Sequence, residues 1–159
     1  MDSQYQNNKN LCLDRNKNLL NEIIDIEKFR KLDDKYMITD ICRNINLKYE
    51  FNENQCSIYY KSFSCSILFD KNNFKSLACF IDSKLFNSVD KDKFISFFKS
   101  IVENKQLDIS VKYLRNILNK VLDGAVKEVK EIKDNVNLYI EKIVNDNREL
   151  IFMMVNLNA

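Results

Sequence analysis

The sequence contains no histidine. Ser-His-Asp and Cys-His nucleophile activation, histidine metal ligation and an imidazole pH switch are thereby excluded. Its single glycine, Gly124, excludes the P-loop and the dinucleotide-binding fingerprint, both of which need several glycines where backbone approaches phosphate. Proline and tryptophan are also absent, and the heavy use of Asn, Lys, Ile and Asp is the coding habit of an AT-rich genome. The five cysteines are Cys12, Cys42, Cys56, Cys65 and Cys79. An odd number with no close-spaced pair argues against a disulfide framework and a thiolate zinc site, so they read as reduced thiols filling a core. No apolar run approaches the ~20 residues of a membrane span, and the opening MDSQYQNNKN lacks the apolar core of a signal peptide. The expectation is a cytoplasmic protein with no membrane partner.

With 159 residues and 45% hydrophobic content, the chain is long enough for one globular domain. Twenty-five basic and 23 acidic residues leave a net charge of +2, so no global field draws in nucleic acid or an anionic membrane. Residues 1–16 are polar, rich in Asn and Gln and without period, and are expected to fray. Residues 17–159 are expected to form a single α+β domain.

From Lys17 to Leu32, the residues Leu19, Leu20, Ile23, Ile24, Ile26, Phe29 and Leu32 give a helix with a broad apolar face. A second helix, about Lys35 to Asn44, follows, capped by Asp33 or Asp34. The period then changes from helical to two. Leu47, Tyr49 and Phe51, then Cys56, Ile58 and Tyr60, then Phe63, Cys65, Ile67 and Phe69, each alternate with more polar neighbours, as half-buried strands do. A hairpin tip at Lys61-Ser62 sets Ile58 against Cys65 and Cys56 against Ile67; a loop at Asn52 to Gln55 sets Phe51 against Cys56 and Tyr49 against Ile58. One face stays apolar in both registers. A loop from Asp70 to Lys75 leads to a fourth strand near Ser76 to Ile81. The other face of this meander carries Tyr59, Leu68, Ala78 and Phe80, and is either covered by helices or left as an apolar patch, which would mark a protein interface.

A further helix, Asp90 to Glu103, presents Phe94, Phe97, Phe98, Ile101 and Val102, with Ser88 or Asp90 as cap. Between Asp108 and Asp146, apolar residues recur every three or four positions, and Leu118, Val129 and Ile140 lie eleven apart. This predicts a nearly straight long helix. Unbroken it would be about 58 Å long at 1.5 Å per residue. Either Asp123-Gly124 folds it into a helical hairpin or it runs through and a partner buries the overhang. Leu150 to Val155 is a short apolar run suited to a buried strand that returns to the meander. The fold class is thus α+β: an antiparallel meander of about four strands plus a C-terminal strand, packed with several helices including the long helix or hairpin near 108–146.

That order of helix, antiparallel strands and further helices resembles the class of secretion chaperones. The resemblance rests on element order alone, and no residue role is carried over from it.

Chemistry-bearing residues are sparse. Asp90 and Asp92 in VDKDKF lack the glycine and glutamate of a calcium loop, so they read as cap or solvated charge. No metal, cofactor or catalytic residue is expected. Tyr59 and Tyr60 could stack bases and Lys112, Arg115, Lys120 and Lys127 could meet phosphate, but acidic residues interleave with the later lysines. The missing catalytic groups and the long helical surface lead to the expectation of a non-enzymatic protein-binding module, an adaptor or inhibitor of a larger protein, with a virus or mobile element as its source. The alternatives are a small enzyme using carboxylate, lysine or thiol chemistry, a nucleic-acid-binding protein and a secretion-chaperone-like protein. The expected partner surface is the distal stripe Val129, Ile132, Val136, Ile140 and Ile143, closed as a homodimer through residues 125–143.

Overall fold

A computed structural model of the chain describes residues 33–158. The expected frayed segment 1–16 and helix Lys17 to Leu32 lie outside the described residues. The elements are α1 (Asp34–Ile45), β1 (Lys48–Asn52), β2 (Gln55–Tyr59), β3 (Phe63–Asp70), β4 (Asn73–Asp82), α2 (Ser88–Lys105), α3 (Val111–Leu122), β5 (Glu128–Ile132), β6 (Val136–Asn145) and β7 (Arg148–Leu157). The class is α+β, and the sheet is one antiparallel sheet of seven strands in the order β1-β2-β3-β4-β7-β6-β5. Among the described residues no helix is long and apolar enough to cross a membrane.

The first half follows the period-two reading. Phe51 faces Cys56, Tyr49 faces Ile58, Ile58 faces Cys65 and Cys56 faces Ile67. The β3–β4 connection is tighter than the expected loop from Asp70 to Lys75. Lys71 and Asn72 take φ of 50° and 69°, a two-residue reversal that lets β4 begin at Asn73. Helix α1 starts at Asp33, whose side chain accepts from Lys35 N at 2.9 Å, and ends at Asn46 with φ 60°. Asp34 ties it to the sheet: its backbone N donates to Asn72 O, and its buried carboxylate accepts from Phe74 N and from Lys105 Nζ at 2.9 Å. Helix α2 is capped by Asn87 and not by either expected residue, Ser88 or Asp90, through a bond from Asp90 N to Asn87 Oδ1 of 2.8 Å.

The expected long helix is corrected. It stops after Leu122, and Gly124 takes φ 78°, a left-handed conformation that turns the chain rather than continuing a helix. The second arm is a β-hairpin, so neither the straight helix nor the helical hairpin forms. A spacing of four keeps residues on one face of a helix, but it also keeps them on one face of a strand. Val136, Leu138 and Ile140 point inward and are at most 3% exposed, while Asn137, Tyr139 and Glu141 point out. The "four strands plus one" expectation becomes seven strands for the same reason. The C-terminal strand does return to the meander, pairing with β4 from Leu150 to Asn156, but it also carries β6 and β5 beyond it.

The core lies between the inner sheet face and the three described helices. Phe94, Phe97, Phe98 and Ile101 of α2 and Leu114 and Leu118 of α3 are essentially inaccessible, as are Ile58, Ile67, Leu77 and Ile81 of the sheet. Each such side chain withdrawn from water contributes roughly 1.5–3 kcal/mol before entropy is charged. That one-sided arrangement decides what the opposite face can do.

Candidate functional site

All three described helices bury residues in the inner core, so the outer sheet face has no described helix over it. Strand register sets that face out in rows. One row reads Lys48, Tyr59, Ser64, Phe80, Phe152, Glu141 and Glu128 across the seven strands. The next reads Glu50, Ser57, Ser66, Ala78, Met154, Tyr139 and Lys130, and a third reads Asn52, Gln55, Leu68, Ser76, Asn156, Asn137 and Ile132. Tyr59, Leu68 and Phe80 are 51%, 47% and 46% exposed. Among the described residues no helix covers this patch, the second of the two alternatives left open by the sequence.

Its centre is aromatic. Phe80 and Phe152 have ring centroids 5.1 Å apart, and Tyr139 lies 6.2 Å from Phe152, with Lys130 Nζ 5.7 Å above the Tyr139 ring. Tyr139 donates to Glu141 Oε2 at 2.6 Å, a bond that holds the phenol protonated and pushes its pKa up to about 12. The hydroxyl therefore serves as a hydrogen-bond donor rather than a base. The middle of the face is lopsided: β7 and β6 carry the bulk of Phe152, Met154 and Tyr139, whereas β2 and β3 carry the small Ser57, Ser64 and Ser66, flanked by the larger Tyr59 and Leu68. Contiguous exposed apolar surface of this kind, rimmed by charge, suits protein association.

The five residues expected to form the partner surface are not brought together. Val136 and Ile140 are 0% exposed in the core, and Val129 packs beside them on the same inner face. Ile132, 81% exposed, and Ile143 point outward instead. The outer-face residues missed by the sequence reading are Tyr139, Phe152 and Met154. Alternation across Asn137 to Ile143 would have found Tyr139.

The remaining chemical groups are held in structural roles. Burial pushes the Cys42 thiol up to about 12 and Cys56 to about 11, which keeps both neutral and un-nucleophilic. Cys65 and Cys79 sit directly opposite each other on β3 and β4 with Sγ atoms 3.0 Å apart, and burial raises Cys65 likewise. Among the described residues no group of three or more Cys, Asp or Glu side chains is arranged to hold a metal ion. Asp90, expected as cap or solvated charge, is instead fully buried; it accepts from Ser62 Oγ at 2.7 Å, with Lys61 Nζ 3.6 Å away. That trio pins the β2–β3 hairpin to α2. Tyr60 lies against Phe63, 5.0 Å between centroids, with Lys93 Nζ 4.7 Å from its ring, and Arg115 is paired to Asp92 at 2.8 Å. A cavity of about 300 Å³ opens between the start of α3 and the β5–β6 hairpin, where Tyr113 bonds Glu131 over a floor of Val136 and Leu138. A groove of about 450 Å³ between α1 and α2 is closed at one end by the Asp34–Lys105 pair.

No protein-family model, curated protein or solved structure matches the chain. The function must therefore be argued from this geometry alone.

Proposed function

We propose that the chain is a non-enzymatic protein-binding module, an adaptor or inhibitor of a larger protein, and that it binds through the outer face of its sheet. The observation that carries this reading is the aromatic and aliphatic centre of Phe80, Phe152, Met154 and Tyr139, on a face that no described helix covers. Burying one such aromatic side chain against a partner yields roughly 1.5–3 kcal/mol, and a handful of central aromatics commonly dominates an interface. The odd number and wide spacing of the cysteines support placement in a reducing cytoplasm.

The test is affinity capture followed by mass spectrometry, with the unmodified chain beside Phe80→Lys/Phe152→Lys and a helix-face control, Lys99→Glu. Proteins retained by the unmodified chain and the control but lost from the double variant support the outer face. Equal recovery by all three overturns it, and so does specific turnover of a small molecule that survives the double variant.

A further inference from the structure

We propose that the occupant of the outer face is a second copy of this chain, docked face to face about a two-fold axis lying along β4. This rests on the reading of the outer face as a protein-association surface and gives that surface to the dimer, so that the larger protein meets the assembled dimer and is lost with it when the face is changed. Strand β4 is the middle strand of seven, with three on either side. A two-fold axis along it, in the plane between two stacked sheets, lays β3 on the partner's β7, β2 on the partner's β6 and β1 on the partner's β5, and keeps every row on its own row.

The side chains so brought together complement each other. Ser64 meets the partner's Phe152 and Ser66 meets the partner's Met154, so the hollow half of one face receives the bulky half of the other. Ser57 meets the partner's Tyr139, and Tyr59 meets the partner's Glu141, a phenol against a carboxylate. At the rims, Lys48 meets the partner's Glu128 and Glu50 meets the partner's Lys130, opposite charges in both cases. On the axis itself stand Phe80 and Ala78, each against its own copy, and the small Ala78 lets the two sheets approach.

The other in-plane axis, perpendicular to the strands, fails on the same residues. It lays each strand on its own copy, with Lys130 on the partner's Lys130, Glu50 on the partner's Glu50 and the bulk of β7 on bulk. Stacked twisted sheets cross at about 30°, so register is held near β4 and slips toward the edges. The serine-to-aromatic fit of β3 and β7 therefore carries the docking, while the long rim side chains set its orientation. With strands about 4.8 Å apart and rows spanning about 17 Å, the projected face is on the order of 600 Å². That approaches the roughly 800 Å² per partner of a stable interface.

The experiment is sedimentation velocity of the full chain across a concentration series up to about 100 μM, a range that detects dissociation constants of that order. The unmodified chain should sediment as a concentration-dependent dimer. Phe80→Glu places two carboxylates on the axis and should weaken the dimer at least 100-fold. Ser64→Phe should weaken it at least tenfold by filling the hollow, and Ser64→Phe/Phe152→Ser, which exchanges bulk and hollow, should restore it. Circular dichroism on each outward-facing variant checks that it folds. A monomer at every concentration overturns the second copy and leaves the outer face to a foreign protein, the outcome that the capture experiment reads. A dimer indifferent to Phe80→Glu uses another surface and overturns the proposal, as does a double variant no better than Ser64→Phe.

Discussion

Truncating two isoleucines eight residues apart should give opposite results, and the contrast tests the strand assignment of the region first expected to be one helix. Ile140 is 0% exposed and lies between Val129 of β5 and Met153 of β7 on the inner face; Ile132, on β5, is 81% exposed on the outer face. Ile140→Ala loses the transfer free energy of the removed methyl and methylene groups and leaves a cavity that close neighbours on two strands cannot fill. The cost should be about 3 kcal/mol, within the 2–5 kcal/mol range for such truncations. Ile132→Ala removes atoms that already sit in water, so its cost should stay within about 0.5 kcal/mol. A domain of this size has a urea slope of roughly 1.5–2 kcal/mol per molar, so the first variant should lower the unfolding midpoint by about 1.5–2 M and the second by less than about 0.3 M. Equilibrium urea unfolding at one low protein concentration, followed by far-ultraviolet circular dichroism, measures both. On a helix bearing both isoleucines on one stripe the two shifts would be comparable. Comparable shifts, or a larger one at Ile132, would refute the β5–β6 hairpin.

Ser62→Ala should destabilise by roughly 1.5–3 kcal/mol, because it strips the Asp90 carboxylate of its 2.7 Å hydroxyl donor in a fully buried site. Lys61→Ala should cost under about 1 kcal/mol, since the ammonium is 3.6 Å away and its side chain is 65% exposed; the reverse order in thermal or urea unfolding would show that the ion pair, not the hydroxyl, satisfies Asp90. Stability should also fall as pH rises above about 9. The folded pKa of Cys42 is pushed up from 9.0 to about 12 and that of Cys56 to about 11. The unfolded chain therefore releases these protons first, and the contribution, complete below about pH 9, is lost as pH climbs toward the folded values. Each thiol contributes at most about 1.4 kcal/mol per pH unit in that window. Under reductant, Cys42→Ala should flatten the decline in urea midpoint between pH 9 and 10.5; an unchanged slope would sink the assignment.

What could be read from the sequence was whatever had one physical interpretation. Within the strands of residues 47–69 most apolar positions alternate with serine, lysine and glutamate, Tyr59 and Leu68 being the exceptions, and a spacing of two is one that no helix face reproduces. Both the strand type and the Cys56–Ile67 and Ile58–Cys65 registers followed from it. In residues 125–143 the conspicuous apolar residues stood three, four and eleven apart, and the four from Val136 to Ile140 satisfies either period. Leu138 and Tyr139 break the helical stripe, and the β-branched Val129, Ile132, Val136, Ile140 and Ile143 favour strands. Those two signals together with Gly124 outweigh the repeat, because a strand here gains β7 as a neighbour and a helix does not. The candidate surface was hidden for a related reason. Phe152 and Met154 sit in an unbroken apolar run, and such a run looks like a strand buried on both faces. Only the placement of β7 beside β4, with all described helices packed on the inner face, shows that alternate members of that run look outward. A two-sided apolar strand on a sheet that the described helices cover on one side argues for a further layer on the other, and the rows of serine and aromatic residues specify the shape that layer must have.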